Sequence, residues 1–201
     1  MAALLALLAL TPAWNPFEAW QMRAFAEQFA SPGYVVLDVG GRVIQGGARN
    51  YFELLNCTFV SMDIQKDRSV DIVNPPGEAF PFEDGHFDIV ITTSTFEHDP
   101  MFWLTFREMA RVTRVGGLIL ATSPHGGHYH RYPGDNYRFM QDAGAALAFW
   151  AGKEWQGHAY PIALNATLAG LGGTMPEMLM RWHRTTIPAT CLLYTSPSPR
   201  D

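Results

Sequence analysis

The chain has 201 residues, 48% of them hydrophobic, 16% charged and 13% aromatic, with a formal net charge of −5. That share of apolar side chain builds the core of one globular domain and excludes an intrinsically disordered chain. The acidic balance excludes a basic footprint over the whole molecule, so no nucleic-acid partner is expected.

Residues 1–10 (MAALLALLAL) are apolar throughout, and the first charge is Glu18. A secretory signal carries Lys or Arg ahead of such a run, and none is present. Pro12 and Pro16 interrupt the stretch, and no uncharged apolar run reaches the ~18 residues of a membrane span. Residues 1–16 therefore read as an apolar extension, and a cytoplasmic location is expected. Phe17, Trp20, Ala24, Phe25 and Phe29 fall at helical spacing, which predicts a helix over 17–29. Ser31-Pro32-Gly33 ends it.

Tyr34 to Leu37 is a continuous apolar run, closed by Asp38 and the glycine-rich string GGRVIQGG. Such runs suit strands buried on both faces of a parallel sheet. A short helix is predicted over 48–55 and a second strand over 58–62, closed by Asp63. Further strands are predicted over 70–73, 87–92 and 118–122, with a helix over 100–112 between the last two. Strands alternating with helices at this spacing define an α/β protein with an open, doubly wound, mostly parallel sheet in three layers. This core is expected to span 17–152.

Past Gly152 the pattern fades, and the last strands of the sheet are expected to be missing or badly formed in 153–190. Residues 191–201 (CLLYTSPSPRD) have no periodicity and resemble a translated sequencing-adapter tail, so they are read as non-native and left out of the fold. The two cysteines, Cys57 and Cys191, stand too far apart for a CxxC metal site or a disulfide scaffold.

Ligands of such sheets bind beyond the carboxyl ends of the strands, near the switch point. Asp38, Gly40, Gly41 and Arg42 follow the first strand, and Asp63 closes the second. Glycine lets backbone approach a ligand closely, and a carboxylate at Asp63 is placed to accept both hydroxyls of a ribose. The loop discriminates among nucleotide folds. Gly40 to Gly46 lacks the G-x-G-x-x-G spacing of a dinucleotide site. Gly41 and Gly46 have the gap of a P-loop, but Gly47-Ala48 replaces its Lys and hydroxyl. An acid ahead of a loop without phosphate grip suits a nucleoside with a charged amino-acid tail.

The ordered set VVLDVGG, FVSMDI, FPFEDGHFDIVITTSTFEHDP and REMARVTRVGGLILATSP resembles the class I S-adenosylmethionine-dependent methyltransferases, over roughly 34–142. The string HRYPGDNYRF resembles a segment in one branch of the small members. The resemblance implies a Rossmann-like fold, S-adenosyl-L-methionine as cofactor and a small-molecule methyl acceptor as partner. It places Asp38, Gly40, Gly41 and Arg42 beside the methionine part, and Asp63 and Ile64 at the ribose. Thr93 and Glu97 complete the expected cofactor set after the fourth strand. The family often has an acid near the adenine where this chain reads Asn74-Pro75-Pro76-Gly77, which leaves Asn74 to take that place. The glycine motif also departs from the family, with Gly41-Arg42-Val43 where a third regularly spaced glycine is usual. A non-catalytic cofactor-binding module and, on a similar sheet, a nicotinamide-dependent oxidoreductase are the competing readings.

His98 and His130 are the candidate general bases, because histidine titrates near neutrality. Asp99 is read as a cap ahead of Pro100, with Glu97 and His98 lining the expected pocket. Arg131, Tyr132, Asp135, Tyr137 and Arg138, after the fifth strand, are the candidate substrate contacts. His125, His128 and His130 have no fixed geometry, so no metal is expected. Arg107, Arg111 and Arg114 lie on one helical face and read as solvated cations. Phe102, Trp103, Phe106 and Met109 read as core.

Overall fold

Side chains alternate across a strand, so a strand apolar at every position feeds two cores at once. In the computed structural model, which describes residues 16–43, 47–140, 142–154, 162–168 and 177–186, the strands do this. Strand β1 (Val35–Val39) follows helix α1 (Pro16–Phe29), and α2 (Arg49–Glu53) leads to β2 (Thr58–Asp63) and β3 (Ile72–Val73). Strand β4 (Phe87–Thr93), α3 (Phe102–Val112), β5 (Thr113–Pro124) and α4 (Ala143–Glu154) come next, followed by β6 (Ile162–Leu168) and β7 (Glu177–Thr186). Val36, Ile89, Ile91 and Leu120 pack with Met22, Phe25 and Ala26 of α1 and Tyr51 and Phe52 of α2. Their neighbours Leu37, Val39, Val90, Ile119 and Ala121 pack with Phe106, Met109 and Ala110 of α3 and Leu147, Ala148 and Ala151 of α4. The result is helices, sheet, helices: three layers.

The strand order is β3-β2-β1-β4-β5-β7-β6. The first five strands are parallel, and β7 runs antiparallel to both β5 and β6. The chain winds outward from β1 through β2 to β3, then restarts at β4 on β1's other side. The switch point therefore lies between β1 and β4.

The last strands, expected to be missing or badly formed, are present. Strand β7 pairs with β5 from Leu118↔His183 to Pro124↔Glu177, and β6 pairs with β7 from Ile162↔Thr186 to Leu168↔Met180. Their sequences mix Arg, His, Asn and Thr with apolar residues, which hides the alternation. What makes them strands is the hydrogen-bonding edge of β5, a tertiary partner that local preference does not encode. Strand β5 itself begins at Thr113 rather than 118. Residues 1–15 and 191–201, read as an apolar extension and a non-native tail, lie outside the described residues, as does part of 153–190. No helix among the described residues is long and apolar enough to cross a membrane.

Arg111 corrects the reading of a solvated cationic face. Its guanidinium bonds Glu108 (2.7 Å), Asp84 (2.8 Å) and the carbonyls of Phe80 (3.0 Å) and Phe82 (2.8 Å). Glu108 in turn accepts the Phe80 N–H at 2.9 Å and is buried. This clamp ties the segment before β4 to α3. Arg111→Met leaves Glu108 without its cation, and an expected loss of about 2–3 kcal/mol in urea unfolding follows. A change within experimental error would return Arg111 to the surface. Arg114, beyond the helix, pairs with Asp88 at 2.6 Å and lies over the Tyr34 ring. Asp99, expected as the cap, is not the cap residue: Met101 holds that position with no side-chain cap bond, and Asp99 Oδ1 accepts the Met101 N–H at 2.8 Å, just outside the helix.

Candidate cofactor site

At the carboxyl end of β1 the chain must turn away between two neighbouring strands. Gly40 and Gly41 make that turn, both donating their N–H to Met62 O, at 2.8 and 3.1 Å. Gly40 has φ +77°, and a Cβ there would lie 2.2 Å from Thr95 Oγ1. Thr95 and Thr92 both bond Val39 O, so the loops after β1 and β4 are closed against each other at the switch point. A Cβ at Gly41 would meet Ser61 Oγ at 2.4 Å and Asp38 Oδ2 at 2.8 Å. Neither glycine tolerates a side chain, because Thr95, Ser61 and Asp38 fill the space a Cβ would need.

Asp38 faces the same side of the sheet as Val36 and is 6% exposed. Burial pushes its carboxyl up to about 7; Arg49 opposes the rise and Asp63 adds to it. Its Oδ1 accepts no hydrogen bond among the described residues. A buried carboxylate in that condition is costly, and a ligand cation with N–H donors relieves the cost. Asp63 closes β2 one strand away, with Met62 paired to Val39. Its Oδ2 accepts the Arg42 N–H at 3.3 Å and its Oδ1 the Gln65 N–H at 2.9 Å. An ionised carboxylate has about four acceptor positions, so two remain for hydroxyls.

The expected cofactor set is thus partly gathered. Asp38, Gly40, Gly41, Arg42 and Asp63 share the ends of β1 and β2. Asn74 joins them through its N–H to Asp63 O (3.0 Å), although its side-chain amide bonds Pro75 O and Glu78 O. Ile64 is 44% exposed beside Asp63. Thr93 ends β4 opposite Thr122, and Glu97 is buried four residues further on. Sequence reading missed Arg49, Asp71 and Ser61, which brace the site. Arg49 pairs with Asp71, whose Oδ2 accepts the Ser61 N–H at 2.8 Å, and Ser61 Oγ donates to Gly41 O at 3.0 Å. Asp71 falls inside the strand predicted over 70–73, and nothing in its sequence context marks it as a brace.

The segments after β4 and β5 meet on the other side of the switch point. His98 Nδ1 lies 2.6 Å from Gly134 O, and its ring meets the His130 ring edge-on at 5.0 Å. Burial holds the His98 imidazole below its ordinary range. The expected substrate contacts divide. Arg138 grips both oxygens of Asp135, which also accepts the His130 N–H at 2.7 Å, and this holds the Asp135 carboxyl well below its usual range. Tyr137 donates its hydroxyl to Pro100 O at 3.0 Å. Tyr137 thus ties the loop to the post-β4 segment and the Arg138–Asp135 pair braces the loop on itself, whereas Arg131 and Tyr132 are exposed.

An open, mostly parallel sheet with this strand order, an acid near the carboxyl end of each of its first two strands and a glycine turn between them defines a Rossmann-like architecture. Residues 37–121 match the family described as methyltransferase domain. An uncharacterized methyltransferase of Mycobacteroides abscessus is 30% identical over 131 residues, covering 55% of this chain and 48% of that protein. One from Mycolicibacterium gilvum is 39% identical over 66 residues, covering 30% and 26%. The chain thus spans about half or less of the length of the relatives it matches. Among solved structures, a SAM-dependent methyltransferase from Aquifex aeolicus superposes with TM-score 0.58 at 14% identity, covering 83% of this chain and 89% of that one. The Burkholderia thailandensis 1,6-didemethyltoxoflavin-N1-methyltransferase, with 1,6-didemethyltoxoflavin and S-adenosylhomocysteine bound, superposes at 0.61 and 14% identity, covering 82% and 77%. The fold is that of these enzymes.

Proposed function

We propose that the chain binds S-adenosyl-L-methionine at the ends of β1 and β2 and transfers its methyl group to a small-molecule acceptor. The observation that carries the reading is the pair of carboxylates, Asp38 and Asp63, on neighbouring buried strands either side of a glycine turn. Asp38 supplies a buried anion for the ammonium and sulfonium end, and Asp63 supplies acceptors for the ribose. Gly40 and Gly41 let the turn between them pack closely against Thr95, Ser61 and Asp38. The family resemblance and the bound S-adenosylhomocysteine of the Burkholderia enzyme support this choice of cofactor.

The cofactor supplies an activated methyl group, so the protein's work is to align an acceptor and exclude water, which is worth up to ~7–11 kcal/mol in the best-oriented cases. His98 and His130 line the acceptor side. With its imidazole held neutral, His98 is able to take a proton from an acceptor, a contribution of ~10²–10⁴-fold.

Asp63→Ala removes both ribose acceptors, and calorimetry is expected to show S-adenosylhomocysteine affinity falling about 30- to 100-fold. Unchanged affinity would remove Asp63 from the site. A thermal shift with NAD and none with S-adenosylhomocysteine would assign the oxidoreductase instead. The Gly41-Arg42-Val43 departure favours a second reading, a binding module without turnover. Tight cofactor binding with methylation of any acceptor in a screen excludes that module.

A further inference from the structure

We propose that Glu97, His98 and His130 form a binding site for a divalent transition-metal ion on the acceptor side of the switch point. One ligand atom from each residue lies within 4.8 Å of the others. Glu97 and His98 follow β4, and His130 lies beyond β5, so residues distant in the chain converge at the carboxyl ends of two adjacent strands. Glu97 is 1% exposed, and its Oε1 lies 3.7 Å from His98 Nε2. The trio differs from the histidine cluster visible in the sequence: His125 and His128 are not part of it.

A second observation points to a ligand. Metal-binding imidazoles usually commit their other ring nitrogen to a carbonyl or carboxylate, which fixes tautomer and orientation. Here His98 Nδ1 meets Gly134 O at 2.6 Å, and His130 Nδ1 meets His128 O at 3.2 Å with Asp135 Oδ2 at 3.6 Å. Each ring therefore has Nε2 left for an ion. Zinc bonds of ~2.0–2.2 Å hold tetrahedral donors closer together than the widest separation in this trio. Binding of the ion would therefore draw the three donors closer together than they stand here.

Two imidazoles and one carboxylate suit Zn²⁺, Co²⁺, Ni²⁺ or Fe²⁺, and the all-oxygen preference of Mg²⁺ and Ca²⁺ disfavours them. Three protein ligands leave a fourth position of a tetrahedral ion for water or an acceptor atom. Resting on the methyltransferase reading, this names the acceptor class as a molecule that coordinates through an ionisable oxygen or nitrogen. Coordination lowers the pKa of such a group, and its proton leaves to solvent. In the metal-loaded chain the two histidines are ligands and not bases.

The test is Co²⁺ titration of the full chain after chelator treatment, followed by visible absorption. One equivalent is expected to produce d–d bands that Zn²⁺ abolishes. Glu97→Gln and His130→Ala are expected to weaken Co²⁺ binding roughly 100-fold or more, while His125→Ala and His128→Ala bind as the parent does. Thermal melts confirm that each variant folds, and Glu97→Gln keeps side-chain shape where a smaller residue fails. Absence of saturable Co²⁺ binding, or binding unchanged in His130→Ala, overturns the site. S-adenosylhomocysteine calorimetry on the same samples separates the two readings. Cofactor binding without metal sinks only the metal site, and metal binding without cofactor sinks only the methyltransferase reading.

Discussion

Asp38→Asn is expected to cost at least about 100-fold in S-adenosylhomocysteine affinity at pH 8 and, in the same sample, to raise the stability of the unliganded chain. Both effects come from one buried carboxyl. Burial raises it from 3.8 to about 7, so between those two values the native state keeps a proton that the unfolded chain has lost. With more protons bound in the native state, stability falls as pH rises across that window and levels off above about 7. Asn carries no charge, so the variant should show no such fall and should gain on the order of a few kcal/mol above pH 7. Cofactor binding has the opposite pH dependence. An ammonium group favours ionised Asp38, so affinity should tighten as pH rises toward about 7, with proton release visible as a buffer-dependent calorimetric enthalpy. An affinity independent of pH, or an Asn variant that binds normally, would take Asp38 out of the site.

Gly40→Ala is expected to lower stability by about 3 kcal/mol and to impair cofactor binding together with it. A left-handed φ costs an L residue ~1–2 kcal/mol, and Gly40 holds +77°. The added Cβ also runs into three atoms of Thr95, the nearest at 2.2 Å. Thr95 cannot retreat freely, because its hydroxyl bonds Thr93 O at 3.0 Å and Val39 O at 3.4 Å. Pairing Gly40→Ala with Thr95→Gly should recover the steric part and leave the backbone part. Equal losses in the single and double variants would show that the β1 and β4 loops are not pressed together as described.

Much of the chain's organisation was legible because parallel strands buried on both faces leave an unmistakable trace. Val35–Val39, Thr58–Asp63 and Phe87–Thr93 all stand within two residues of their predicted limits. The acids that end the first two strands were legible for a related reason: a charge directly after a buried run marks a strand's carboxyl end, where this fold takes its ligands. Other polar residues gave no such signal. Arg111 and Asp135 sit among charged and polar neighbours, and their sequence context is that of solvated surface. Only in three dimensions does Arg111 turn inward to four partners and Asp135 become the anchor of its loop.

By itself the sequence determined the class of sheet, the two carboxylates and the glycine turn, since apolar periodicity and local chain geometry are written in neighbouring residues. Tertiary structure alone decided that β6 and β7 complete the sheet, that Arg49 braces the glycine turn through Asp71 and Ser61, and that Glu97 and His98 meet His130. Each of these joins groups separated by many residues, and such contacts arise only when the sheet brings its strand ends together.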